Sequence, residues 1–202
     1  YTKAIASFDL AIELEPGFSL SWYNRGVAFQ EMRRYDEALE SYDQALALDP
    51  FNTNALINRG IVLRALGRYD EAMESYQLAL EMSPHSAEIW NNMGVVYSDL
   101  GFVEEEIAAY EMAISLDPMF AAAWDNKGMA FASQGRNDEA IAAFDRALAI
   151  DPDDEVVRWR RDTLKQQLAL REMVVRWAVI AGVVVVGYVG VRVWKRRSNP
   201  GS

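Results

Sequence analysis

The stretch SWYNRGVAF, residues 21–29, sets Asn24 and Gly26 into what is otherwise the pattern of an amphipathic helix. A glycine inside a helix costs about 1 kcal/mol relative to alanine, so its presence needs a reason. The stretch recurs as ALINRGIVL at 55–63, IWNNMGVVY at 89–97 and AWDNKGMAF at 123–131, each copy 34 residues after the last. The glycine is therefore a property of a repeat, and the period decides the fold.

The same step links many other positions. Pro16, Pro50, Pro84, Pro118 and Pro152 share one register, as do Asn24, Asn58, Asn92 and Asn126. Trp22, Trp90 and Trp124 share another, with Leu56 in the remaining slot. Ala11, Ala45, Ala79, Ala113 and Ala147 recur likewise, together with the aromatic series Phe8, Tyr42, Tyr76, Tyr110 and Phe144. Each period reads as two helices, near 19–32 and 36–49 in the first copy, joined by a glycine-bearing or basic turn. The second helix ends where proline forbids its continuation. Asp36, Asp70 and Asp138 head acidic first turns, which suits the positive end of a helix dipole. No segment alternates with period two, so the chain is expected to be all-α.

These residues resemble the tetratricopeptide repeat family, whose unit of 34 residues carries Trp, Gly, an aromatic, Ala, an aromatic and Pro at set spacings. Trp90, Gly94, Tyr97, Tyr110, Ala113 and Pro118 show the whole pattern within one unit. The resemblance implies a right-handed superhelical solenoid of antiparallel helix pairs. Residues 1–18 form the second helix of a truncated repeat, and 19–52, 53–86, 87–120 and 121–154 form four full ones. The chain opens at Tyr1 in mid-repeat, without an initiator methionine or a signal-like segment, as expected of a fragment.

A helical wheel divides the opening stretch by face. Trp22, Arg25, Gly26 and Phe29 point toward the second helix, where the glycine lets the partner approach closely. Leu20, Asn24, Val27 and Glu31 point the other way. First helices line the inner side of a stacked array, so Asn24, Asn58, Asn92 and Asn126 would form a ladder along a groove. Val27, Ile61, Val95 and Met129 would supply its apolar contacts. An asparagine offers a donor and an acceptor, matching a peptide backbone of any sequence. The resemblance implies that role for the four asparagines; the competing reading is that each bonds only to the next helix pair. The groove stripes hold no Lys or Arg, and Arg64 alone is within reach, so a clamp for a C-terminal carboxylate is not expected.

Position 106 departs from the pattern. Ala38, Ala72 and Ala140 hold a tight helix contact in the other repeats, whereas the third has Glu106. Its stem packs with the carboxylate reaching solvent, or it loosens the repeat and joins Glu104 and Glu105 as an acidic contact point.

The chain of 202 residues is 51% hydrophobic and 25% charged, a composition with a real core. It lacks cysteine altogether, and its one histidine, His85, falls in a turn, so no metal site is expected. No phosphate-cradling loop or paired-carboxylate pocket is visible, so neither catalysis nor a cofactor is expected. Residues 1–154 carry 10 basic and 27 acidic side chains, a balance of −17; residues 155–202 carry 10 and 3, a balance of +7, giving −10 for the whole. An acidic array is unsuited to nucleic acid and favours neutral or basic ligands.

Past Pro152 the register fails. Residues 155–176 read as a basic capping or juxtamembrane helix, 177–194 as an apolar run, WAVIAGVVVVGYVGVRVW, and 195–202 as a basic tail. At 1.5 Å per residue the 18-residue run spans roughly 27 Å, near a hydrocarbon core of about 30 Å. Arg176, Trp177, Arg192, Trp194, Lys195, Arg196 and Arg197 flank it as interfacial residues do. A transmembrane helix through the lipid bilayer is expected; a buried Val-rich strand is the competing reading. The basic residues on either flank are nearly balanced and do not set the orientation; the repeats are expected on the cytoplasmic side because no export signal is visible.

The function expected is that of a non-catalytic scaffold holding an extended peptide segment of another protein while anchored to a membrane. Two alternatives stand beside it: the substrate-recruiting arm of an enzyme whose catalytic domain lies upstream, and a structural array that self-associates through its exposed repeat edge.

Overall fold

Ten α-helices follow one another in the computed structural model, which describes the backbone of residues 1–198 and the side chains of residues 1–179. They are α1 (Thr2–Leu14), α2 (Ser19–Glu31), α3 (Tyr35–Leu48), α4 (Thr53–Ala65), α5 (Tyr69–Met82), α6 (Ala87–Leu100), α7 (Val103–Leu116), α8 (Ala121–Ser133), α9 (Asn137–Ile150) and α10 (Glu155–Ser198). Among the described residues there is no strand. Two units are present, residues 1–153 with the repeats and residues 154–202 with α10.

Within the repeats the strongest packing pairs α2 with α3, α4 with α5, α6 with α7 and α8 with α9. The expected boundaries agree with these helices to within a residue or two. What holds each pair together is visible at the recurring glycine. A Cβ added at Gly26 would lie 2.6 Å from Cε1 of Tyr42, and one at Gly94 2.5 Å from Cε1 of Tyr110. Gly60 meets Tyr76, and Gly128 meets Phe144, in the same way. An aromatic ring of the second helix thus lies directly on the backbone of the first. Tyr42 is completely buried and Tyr76 nearly so. The contact surrounds itself with the smallest side chains, Ala38, Ala45, Ala72 and Ala79, all fully buried.

The turns between paired helices use one left-handed residue. Gly67, Gly101 and Gly135 have φ of 74°, 76° and 72°, and Arg33 takes the same role at 58°. Helix starts are served by Asn52, whose Oδ1 accepts from the Ala55 amide at 3.0 Å, and by Ser86, which accepts from Ile89. Trp22 Nε1 donates to the Pro16 carbonyl at 3.0 Å, and Trp124 Nε1 to that of Pro118 at 3.1 Å, so the proline corner is tied to the helix that follows.

Successive repeats are joined by ion pairs of a fixed register. Arg25 meets Asp9 at 3.1 Å, Arg59 meets Asp43 at 2.6 Å, and Lys127 meets Glu111 at 2.9 Å, each linking a first helix to the second helix before it. The third repeat has Met93 and Gln77 at these places and makes no such pair.

Glu106 is largely buried, with the residue only 6% exposed in the slot where the other repeats bury alanine. Desolvation raises its pKa above the ordinary glutamate value, against a Ser98 hydroxyl that hydrogen-bonds it and lowers it; Asp99 nearby raises it further.

In the second unit Asp154 begins α10, its Oδ1 accepting from the amides of Val156 and Val157, both at 2.9 Å. The backbone is α-helical without a break from Glu155 to Ser198. The capping helix, the apolar run and the start of the basic tail, read as separate elements, are thus one helix, and the strand reading of 177–194 is set aside. No helix among the described residues is long and apolar enough to cross a membrane. Most of the apolar run, residues 180–194, lies outside the described side chains, as do the flanks Arg192, Trp194, Lys195, Arg196 and Arg197; Arg176 and Trp177 are described and exposed.

Two substitutions test this packing. Gly60→Ala removes a helix-interior glycine, a benefit of about 1 kcal/mol. It also drives a methyl into a buried ring, an overpacking cost of about 1–3 kcal/mol. The thermal midpoint should therefore fall, and a rise would refute the close-approach account. Glu106→Ala should stabilise at neutral pH by about 1 kcal/mol, since it removes a buried carboxylate. Because the folded-state pKa is raised, the wild type is free of this penalty below the unfolded value, near 4.5, and loses stability as pH climbs through the folded value. The advantage of the alanine variant in thermal melts should accordingly shrink as pH is lowered from neutral toward about 4.5, and change no further below it.

Candidate functional site

The inner layer of the repeats is built from the first helices, since α2 touches α4, α4 touches α6 and α6 touches α8. The ladder residues Asn24, Asn58, Asn92 and Asn126 are all half-buried, as are Val27, Ile61 and Val95, while Met129 is 38% exposed. The sequence therefore located a face with polar and apolar groups interleaved, but the four asparagines are not equivalent.

Two of them tie neighbouring repeats. Asn58 Nδ2 donates to the Tyr23 hydroxyl at 3.2 Å, and Asn126 Nδ2 donates to Asn91 Oδ1 at 2.9 Å. Each reaches the residue one place before the asparagine of the preceding repeat. At the corresponding place below Asn92 stands Ile57, which has no polar side chain to offer. Asn24 and Asn92 make no side-chain hydrogen bond among the described residues. Asn58 and Asn126 thus bond to a neighbouring helix pair, the preceding one and not the next, whereas Asn24 and Asn92 make no such tie among the described residues.

The Tyr42 hydroxyl donates to Gln30 Oε1 at 2.8 Å, and its ring lies 6.0 Å from that of Tyr23. Burial pushes the phenols of Tyr42, Tyr76 and Tyr110 well above their ordinary value, so they are neutral donors across the physiological range.

The charge of the groove is settled by one pair. Arg64 Nε lies 2.6 Å from Asp99 Oδ2, bridging the second and third repeats. The basic group nearest the stripe is thus already engaged by a carboxylate of the stripe, while Glu31 and Glu88 remain exposed in it. An incoming carboxylate would have to displace Asp99 to reach Arg64. Among the described residues no group of acidic or histidine side chains is placed to hold a metal ion.

Sequence reasoning missed Tyr23 and Asn91, the acceptors for the ladder. Their register runs Tyr23, Ile57, Asn91 and Asp125, so no recurring residue type marks it. The ion pairs between repeats did leave a signal, an opposite charge sixteen places before Arg25, Arg59 and Lys127.

Known proteins place this geometry. Residues 23–87 and 91–155 match a family model described as tetratricopeptide repeat. No curated protein matches the chain. Among solved structures, the crystal structure of MamA is 24% identical with a TM-score of 0.66, over 73% of this chain and 86% of that one. TTC0263, a thermophilic TPR protein of Thermus thermophilus, is 21% identical with a TM-score of 0.68, over 80% and 89%. YrrB, described as a TPR protein with an unusual peptide-binding site, is 24% identical with a TM-score of 0.61, over 82% and 85%. These likenesses are of fold, while the family model spans well over half of the residues. The chain belongs to the tetratricopeptide repeat family.

Proposed function

We propose that this protein is a non-catalytic adaptor that holds an extended segment of another protein along the inner faces of α2, α4, α6 and α8. The observation that carries the reading is the split ladder: Asn24 and Asn92 present side-chain amides with no partner in the described residues, alternating with asparagines committed to the scaffold. An amide left in this way satisfies a backbone N–H and C=O without regard to side chain. Val27, Ile61, Val95 and Met129 give the same segment apolar contact. The peptide-binding site named for YrrB adds support by analogy of fold.

The acid excess of the repeats, with Glu31 and Glu88 exposed in the groove and Arg64 occupied, favours a segment that is neutral or basic. The apolar run 177–194 serves in this reading as a bilayer tether, its basic flanks meeting anionic headgroups. A shared charge sign repels the acidic repeats from that surface and leaves the groove accessible from the cytoplasmic side.

Selection of binders from a displayed library of random peptides supplies a defined probe. Asn92→Ala should weaken the selected peptides about five- to tenfold, the worth of one or two hydrogen bonds, with the helix content unchanged. Asn126→Ala should lower the melting temperature by removing the tie to Asn91. Binding indifferent to Asn92→Ala would remove the ladder from the mechanism.

The tether is tested separately by vesicle flotation. The full chain should float with liposomes, and a chain lacking residues 177–202 should stay in the aqueous fraction. Flotation of both would locate the membrane contact elsewhere.

A further inference from the structure

The groove uses no residue of one face of α10, and the proposed tether uses only the last residue of that face, Trp177. Val156, Trp159, Leu170, Met173 and Trp177 stand 57%, 68%, 57%, 48% and 65% exposed along it. With Thr163 and Gln166 they form the series 156, 159, 163, 166, 170, 173 and 177, whose steps alternate between three and four residues. That spacing averages 3.5, the seam of a left-handed coiled coil. Two tryptophans and three aliphatic or thioether side chains in one line are a large apolar surface for a helix to leave in water. The interruption by Thr163 and Gln166 is itself informative, since polar residues at a seam fix register at some cost in stability.

The flanks carry complementary charge. Glu155 and Arg160 border the seam five residues apart. In a parallel, in-register pair this offset brings the acid of one helix toward the base of the other.

We propose that α10 pairs in parallel and in register with α10 of a second copy of this chain, through the seam that runs from Val156 to Trp177. The pairing stands on the seam alone. Its parallel sense also agrees with the tether proposed above, because two chains entering one bilayer from the same side point the same way. A dimer of this kind presents two grooves, so a partner with two copies of its segment is held by avidity as well as by affinity.

The absence of cysteine makes a direct test possible, since each cysteine variant carries a single thiol. In the full chain held in detergent micelles, Gln166→Cys and Met173→Cys should both convert under mild oxidation to a species of twice 22.8 kDa. Lys165→Cys and Glu172→Cys, on the opposite face, should remain at the monomer mass. Equal linkage at all four positions, at none, or at only one of the two seam positions overturns the proposal, the last because an antiparallel pair meets itself at a single point. As a second measurement, Leu170→Glu combined with Met173→Glu should give a monomer by light scattering with wild-type helix content. A wild type that is already monomeric in micelles and in vesicles, as a stripe laid on lipid would be, also overturns it. Peptide binding by the groove is read independently, so failure here leaves the adaptor reading standing.

Discussion

The structure depends on the contact of an aromatic ring with a bare stretch of helix backbone. Gly26, Gly60, Gly94 and Gly128 each sit under the ring sixteen residues later, and a methyl group at any of them would overlap it. This fixes both the separation and the rotation of the paired helices, because only one face of the first helix lacks a side chain at that height. Once the rotation is fixed, everything else about the first helix is determined. The residue three places after the tryptophan faces the preceding repeat, and the residue two places before the glycine faces the groove. The asparagines are therefore presented inward as a consequence of packing on the other side.

The third repeat shows what happens when the remaining contacts vary around this constant. It has Met93 where others have a cation, Phe102 where others have an arginine paired to a glutamate, and Glu106 where others have alanine. The Trp90 indole makes no bond to the proline corner among the described residues. The repeat keeps its ring on its glycine and is tied on its inner side instead, by Asp99 to Arg64 and by Asn91 to Asn126. Exposed ion pairs are worth about 0–1 kcal/mol each, so exchanging them is cheap, whereas the glycine contact has no substitute. That difference in magnitude explains which positions recur and which drift.

The same difference governs what could be read from sequence. The glycine, the aromatic and the alanines recur because sterics admit few alternatives, and they gave the helix pairs and their faces. Tyr23 and Asn91 were illegible because several residue types can accept a hydrogen bond or simply fill space there. Glu106 was visible as an exception, but its burial depends on the tightness of the α6–α7 contact, which no local pattern states. The unbroken run of α10 was missed for another reason: a change from charged to apolar composition looks like a boundary, yet valine and alanine continue a helix without any stop signal. The asparagine ladder was legible as a face and illegible as a division of labour, since that division is set by neighbours 35 residues away.

That division has a metric consequence. Adjacent inner helices in contact lie about 10 Å apart, which separates Asn24 from Asn92 by about 20 Å. An extended chain covers that distance in about six residues at 3.3 Å each. On the proposed function, a segment gripped at both amides would be held at a set pitch. Such a groove would work as a ruler, selecting how long a stretch of its ligand stays extended before selecting what the stretch contains.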